Sequence, residues 1–230
     1  MSFNIDGYIA DITQALEEKS NSKYAEKQKD YMKGNFDFIG VKAQPRRKAT
    51  RVFVRKAERP EYDDIDIVVK KLWKLPEREY QYFAIELIER YKKEFDKDMI
   101  LLFEYMITNK SWWDTVDLIA KKLVGEFFKS YPQLRDEYIA RWLNSDDMWL
   151  QRTCLLFQLG YKENTDSELL FDLVKQLKDE DEFFIKKAIG WALREYSKTD
   201  SEKVKKFIQN HSLSSLSERE GLKWIKKNKE

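Results

Sequence analysis

Trp112-Trp113-Asp114-Thr115-Val116-Asp117-Leu118-Ile119-Ala120-Lys121-Lys122-Leu123 sets apolar residues at Trp112, Val116, Ile119, Ala120 and Leu123, and the stripe continues to Phe127. These are the three- and four-residue steps of one helix face. Two later stretches open in the same way. Trp149-Leu150-Gln151-Arg152 follows Trp112 by 37 residues, and Phe183-Phe184-Ile185-Lys186 follows Trp149 by 34. Recurrence in the mid-thirties marks stacked helical repeats. A single helix pair cannot bury its own apolar stripe, so neighbouring pairs must stack to share a core. The expected fold is all-α, a curved solenoid of antiparallel helix pairs, with residues 1–230 as one domain.

Composition agrees. Seven Gly and four Pro are few for 230 residues, and 37% of the chain is charged, which suits helices with short connections. An aromatic content of 14% is more than a disordered chain carries. The first ten residues hold no basic region before an apolar run, so no secretory signal is read. The longest apolar run, Met99 to Phe103, is far too short to span a bilayer, so no membrane partner is expected. A lone Cys154 cannot form an intramolecular disulfide and fits a reducing, cytoplasmic setting. The net charge of +2 decides nothing by itself, because distribution matters more than the sum. Arg46, Arg47, Lys48, Arg51, Arg55 and Lys56 fall within eleven residues, and Lys226, Lys227 and Lys229 lie at the end. These runs read either as solvated helix faces or as a footprint for an anionic partner.

Twelve or thirteen helices and no strand are expected. The approximate spans are 4–18, 21–33, 45–58, 61–74, 77–94, 98–108, 112–128, 132–143, 146–160, 166–178, 181–197, 200–210 and 216–228. Thr165 with Glu168, Thr199 with Glu202, and Ser217 with Glu220 have capping-box spacing. Ser111 and Ser145 are candidate N-caps, and Pro45, Pro76 and Pro132 sit where a first turn tolerates proline. Residues 34–44 form the one irregular stretch, leading into a helix that starts with Arg46 and Arg47. Such a helix start can hold an anion, or be an ordinary surface connection.

Three residues sit at the edges of the apolar stripes. Asp117 lies one turn beyond Trp113; Arg152 falls beside Trp149 and Leu156; Trp191 is flanked by Lys187 and Arg194 and preceded by a mid-helix glycine, Gly190. That glycine costs about 1 kcal/mol relative to alanine and often permits another backbone to come close. Taken singly, Asp117 reads as an acid paired with a nearby lysine, Arg152 as a surface arginine on an indole, and Trp191 as core. The helices open successive repeats, however, so Asp117, Arg152, Trp113 and Trp191 are expected to share one concave face. One carboxylate with flat π-faces suits a cationic ligand or transition state. Cleavage of a glycosidic bond passes through an oxocarbenium-like state, and a purine alkylated at N3 or N7 is already cationic and departs neutral.

The chain resembles the AlkD-like DNA alkylation repair glycosylases, built from HEAT-like repeats. The resemblance covers nearly the whole chain. It is carried by Tyr31-Met32-Lys33, Phe36-Asp37-Phe38-Ile39-Gly40-Val41, Pro45-Arg46-Arg47, Ser111-Trp112-Trp113-Asp114-Thr115-Val116-Asp117, Trp149-Leu150-Gln151-Arg152, Leu156-Phe157-Gln158-Leu159, Phe183-Phe184-Ile185, Ala188-Ile189-Gly190-Trp191 and Leu193-Arg194-Glu195-Tyr196. It implies a monofunctional glycosylase that releases cationic N3- and N7-alkylpurines from duplex DNA without obligatory base flipping. The catalytic carboxylate is then Asp117. Trp113 and Trp191 contact the deoxyribose, and Arg152 grips the DNA backbone. Tyr31 and Lys42 join the DNA-binding set. Lys42 is a departure, since a polar uncharged residue is the family's pattern there. Arg46, Arg47, Lys48, Arg51, Lys187 and Arg194 are the candidate electrostatic footprint.

Other chemistries have little footing. His211 lies near a helix end among polar residues, and Cys154 sits on an apolar stripe as core. There is no phosphate-binding glycine loop, no zinc-type Cys/His set and no lysine singled out for a Schiff base. No cofactor or metal is expected, and the protein is expected to act as a monomer. The rival reading is a non-catalytic solenoid that binds DNA structure or a protein partner.

Overall fold

The computed structural model describes residues 3–228. The chain divides into two compact units, one ending at Asp96 and the other starting at Lys97. Among the described residues all regular structure is helical, apart from one isolated bridge between Asp37 and Glu77. No helix among them is long and apolar enough to cross a membrane.

The first unit holds α1 (Ile5–Glu17), α2 (Ser22–Tyr31), α3 (Ala43–Thr50), α4 (Ile65–Lys74) and α5 (Arg78–Ile88). α1 buries Tyr8, Ile12 and Leu16, one residue per turn, against α3 and α4. α4 buries Val68, Val69, Leu72 and Trp73 and pairs with α5. The irregular 34–42 stretch has no ladder of its own. Three consecutive backbone donors end on one side chain: Glu79, fully buried on α5, accepts from the N–H groups of Ile39, Gly40 and Val41 at 3.1, 3.0 and 3.0 Å. Gly40 has φ +89° and lies so close to α2 that a Cβ there would stand 2.0 Å from the Asn21 carbonyl oxygen, so no other residue fits.

Several boundaries in this unit differ from expectation: the helix expected over 61–74 is α-helical only from Ile65, and the one expected over 77–94 stops at Ile88 before a 3-10 turn at Glu89–Tyr91. The basic helix expected over 45–58 begins at Ala43 and stops at Thr50, the chain continuing in turns. The Tyr8 hydroxyl donates to the Phe53 carbonyl at 2.7 Å, tying this segment to α1. Pro45 therefore lies in the first turn, whereas Pro76 precedes the α5 N-cap, Glu77.

The second unit holds α6 (Met99–Thr108), α7 (Trp113–Ile119), a π-helical turn at Ala120–Val124, α8 (Gly125–Ser130), α9 (Pro132–Leu143), α10 (Met148–Leu156), α11 (Ser167–Leu177), α12 (Phe183–Tyr196), α13 (Ser201–Asn210), α14 (Ser215–Gly221) and α15 (Lys223–Lys227). α7, α10 and α12 start at 113, 148 and 183, so the structural period is 35 residues, twice over. α10 packs between α7 and α12, and α9 and α11 cover its other sides. The aromatics that open the repeats meet: ring centroids lie 5.7 Å apart for Trp112 and Trp149, 5.1 Å for Trp112 and Phe184, and 5.0 Å for Trp149 and Phe184. The all-α, helical-repeat expectation is met by this stacking.

The expected caps shift. α11, α13 and α14 start after Asp166, Asp200 and Ser214, whose side chains accept from Leu169, Lys203 and Ser217 N–H groups at 3.0, 2.9 and 3.1 Å. Thr165 and Thr199 stand one residue too early, each next to an aspartate that caps as well or better. Ser217 lies inside α14, where its hydroxyl donates to the Lys186 carbonyl at 2.9 Å. Ser111 and Ser145 serve the preceding helices instead, donating to Ile107 and Trp142 carbonyls. The expected 112–128 helix carries the π turn, and the expected 216–228 helix breaks at Leu222.

Candidate active site

Asp117 sits in the last turn of α7, and burial of Val116, Ile119, Ala120 and Leu123 fixes how that helix is rotated. Across from it, α10 presents Arg152. α10 is anchored by its N-cap Asp147, which accepts from both Trp149 and Leu150 N–H groups. Arg152 donates through Nε to Asp117 Oδ1 at 2.7 Å and through Nη2 to Oδ2 at 2.9 Å, while its Nη1 donates to the Phe184 carbonyl on α12. One guanidinium thus joins α7, α10 and α12. Asp117 is 9% exposed and Arg152 4%.

Both single-residue readings of this pair are overturned. Asp117 pairs with an arginine rather than a lysine, and Arg152 is a buried bidentate partner rather than a surface residue. Burial pushes the Asp117 carboxyl above its ordinary range; the Arg152 hydrogen bonds and charge oppose this, and Asp114 adds to it. Each carboxylate oxygen spends one acceptor site on Arg152 and keeps another for a water or a positive centre. The π turn directly after α7 was not legible from periodicity; such turns concentrate at functional sites.

Trp113 is half-buried one turn before Asp117, and Trp191 is half-buried on α12, seven residues beyond Phe184 and so near the same helix face. Trp112, on the apolar stripe, is the α7 N-cap with extended backbone; its ring is half-buried against Trp149 and Phe184, and its Nε1 is buried without a hydrogen-bond partner. The close approach expected at Gly190 is present. A Cβ there would stand 2.4 Å from Glu220 Cβ and 3.0 Å from the Ser217 carbonyl oxygen, so the glycine seats α14 against α12.

Glu220, seen in the sequence only as half of a capping box, gathers the cations around Trp191. It is 5% exposed and meets Arg194 at 2.7 Å, Lys223 at 2.7 Å and Lys187 at 3.0 Å. The Lys223 hydrogen bond, followed by that of Lys187 and both charges, holds its carboxyl down to about 2 against the opposing effect of burial. Three cations on one anion leave a net positive patch.

In the first unit, Arg46 and Arg47 lie within α3 rather than at its start, and both donate to Glu86 Oε1, at 2.8 and 2.9 Å. Arg46 is buried; Lys48 and Arg51 are exposed. Tyr31 is 68% exposed. Lys42 is the α3 N-cap and lies 4.0 Å from the Tyr24 ring centre. Cys154 is core, with its thiol pushed far up by burial. His211 stacks on Phe207 at 4.2 Å and bonds its carbonyl.

The family model for DNA alkylation repair enzymes matches residues 12–225. The chain belongs to that family. A solved structure described as a predicted DNA alkylation repair enzyme from Enterococcus faecalis is 31% identical to this family member, covers 90% of this chain and 96% of its own, and superposes with a TM-score of 0.84. No curated protein matches the chain.

Proposed function

We propose that this member of the DNA alkylation repair family is a monofunctional glycosylase that hydrolyses the N-glycosidic bond of cationic N3- and N7-alkylpurines in duplex DNA. The observation that carries this reading is the buried Asp117 carboxylate, held by two hydrogen bonds from Arg152 with acceptor sites to spare. An alkylated purine leaves as a neutral base, so no general acid is required. Positive charge builds on the deoxyribose instead, and a carboxylate in a low-dielectric setting stabilises it more than one in water. Asp117 also orients the attacking water. Trp113 and Trp191 offer π-faces to the cationic sugar, each worth about 0.5–2 kcal/mol.

Arg152 first positions Asp117; its remaining N–H groups are available to a phosphate. Lys187 and Arg194, held by Glu220, and Arg47, Lys48, Arg51, Lys42 and Tyr31 meet the DNA backbone, with buried Arg46 steadying Glu86. Binding through such contacts weakens as salt rises.

The test is incubation with duplex carrying a single N7-methylguanine, scoring free base and abasic sites. Wild type should release the base and Asp117→Asn should lose most of that rate while keeping duplex affinity. Equal release by Asp117→Asn would falsify the mechanism. DNA binding by wild type with no release would establish the non-catalytic alternative.

A further inference from the structure

The first unit contains a cavity of about 480 Å³ lined by Tyr24, Gln28, Tyr31, Phe38, Lys42 and Tyr82 among others. Its construction is unlike that of a packing defect. Four aromatic rings surround it, and two are partnered by cations: Lys42 over Tyr24 at 4.0 Å, and Arg46 over Tyr82 at 4.8 Å. Gln28 Oε1 is buried and accepts no hydrogen bond. A buried acceptor left without its bond destabilises the protein, and a ligand N–H restores it. Glu79 clamps the loop that supplies Phe38 and leads to Lys42, so this wall of the cavity is set in advance.

The features define their ligand. Aromatic walls select a flat π-ring, and every nucleobase offers one to stack. The lone buried acceptor selects an N–H at the ring's edge. Lys27 and Lys42, both exposed at the cavity, select a negative charge attached to that ring. A nucleobase joined to phosphate has all three properties.

We propose that this cavity is a nucleobase-binding site, which takes an unpaired base with its N–H edge on Gln28 and its face on Tyr24 or Tyr82. The inference rests on the reading of the protein as DNA-binding, and it adds a second point of contact, on the unit that does not hold Asp117. Lys42 lies at this cavity over the Tyr24 ring.

The test uses full-length protein and two duplexes that differ only by one bulged 2-aminopurine, whose fluorescence falls on stacking. Wild type should bind the bulged duplex about tenfold more tightly than the paired one and quench the probe. Gln28→Leu should lose about tenfold on the bulged duplex with no change on the paired one. Tyr24→Leu, on an exposed ring, should remove the quench without affecting folding. Free 2-aminopurine distinguishes the two sources of the ring. Gln28-dependent binding of the free base supports the site and assigns it to a released base; Gln28-dependent binding of the bulged strand alone supports it and assigns it to an extruded nucleotide. Absence of Gln28-dependent binding in both arms, or a probe that brightens on binding, overturns the proposal. Neither arm contains an alkylated purine, so loss of the glycosylase mechanism would leave this result standing.

Discussion

Arg152 holds both oxygens of Asp117, at 2.7 and 2.9 Å, with the two side chains almost completely out of water. In a pair so buried each charge is the other's main compensation. Removing one partner of such a pair costs about 3–5 kcal/mol, whereas replacing both by apolar groups is often near neutral. Arg152→Met should therefore lower Tm by about 6–20 °C. Asp117→Leu with Arg152→Met should recover most of that loss. A double variant no more stable than Arg152→Met, measured by differential scanning calorimetry, would show that the pair is not coupled as its geometry indicates.

The same pair sets the acid limb of the proposed reaction. Burial raises the Asp117 carboxyl, Arg152 opposes that, and only the anion stabilises a cationic sugar. Excision should fall with decreasing pH through a value above the ordinary aspartate figure of about 3.9. Arg152→Met, lacking the opposing charge, should move that limb to still higher pH. Single-turnover release of 7-methylguanine between pH 4 and 8 measures both, and a limb unmoved by Arg152→Met contradicts the assignment.

Gly190→Ala separates two opposite effects. Adding a methyl in mid-helix should by itself stabilise by about 1 kcal/mol. Here the methyl would meet Glu220 Cβ at 2.4 Å and the Ser217 carbonyl at 3.0 Å, so α14 must move away from α12. Overpacking of this kind costs about 1–3 kcal/mol, so the net change is expected to be destabilising, with a fall in excision as the turn bearing Trp191 shifts. A Tm at or above wild type would show that α14 yields without cost.

Glu220→Gln tests the cation cluster through its pH dependence. The folded carboxyl lies near 2, below the ordinary glutamate range. Its stabilisation is therefore complete above the unfolded value of about 4.3 and is lost as pH falls towards the folded one. At pH 7 the variant should be less stable by about 1–3 kcal/mol, reduced from the full linkage figure because the lysine partners are solvated. The gap from wild type should close between pH 4 and 2. Duplex affinity should fall as well, because Lys187 and Arg194 lose the anion that aligns them. A gap that does not depend on pH would assign the loss to packing alone.

Apolar period made the helices legible, and it did so because every buried stripe recurs at the same rotation; Val116, Ile119, Ala120, Leu123 and Phe127 are all fully buried. It also picked out Asp117, Arg152 and Trp191 at the edges of their stripes, and Gly190 as a glycine in mid-helix. Their partners could not be read, because Asp117 with Arg152 and Gly190 with Glu220 are joined across 35 and 30 residues by tertiary packing. Caps slipped by one residue where Thr165 and Thr199 stand beside Asp166 and Asp200, a choice local chemistry leaves nearly balanced. Glu79 gave no local signal, since all three of its donors lie at least 38 residues away.

The π turn has a consequence that lies in arithmetic. Asp117 and Gly125 are eight residues apart, and both face α10: one bonds Arg152, and a Cβ on the other would stand 2.5 Å from the Phe157 carbonyl oxygen. On an unbroken α-helix, eight steps would set them about 80° apart, whereas seven would bring them within about 20°. The widened turn absorbs the eighth step, so the helix is one residue longer than these two contacts demand. A relative with a regular turn here is expected to align with a single gap within 120–124 and to keep both contacts. The placement of the carboxylate is thus encoded in how many residues follow it as well as in which ones they are.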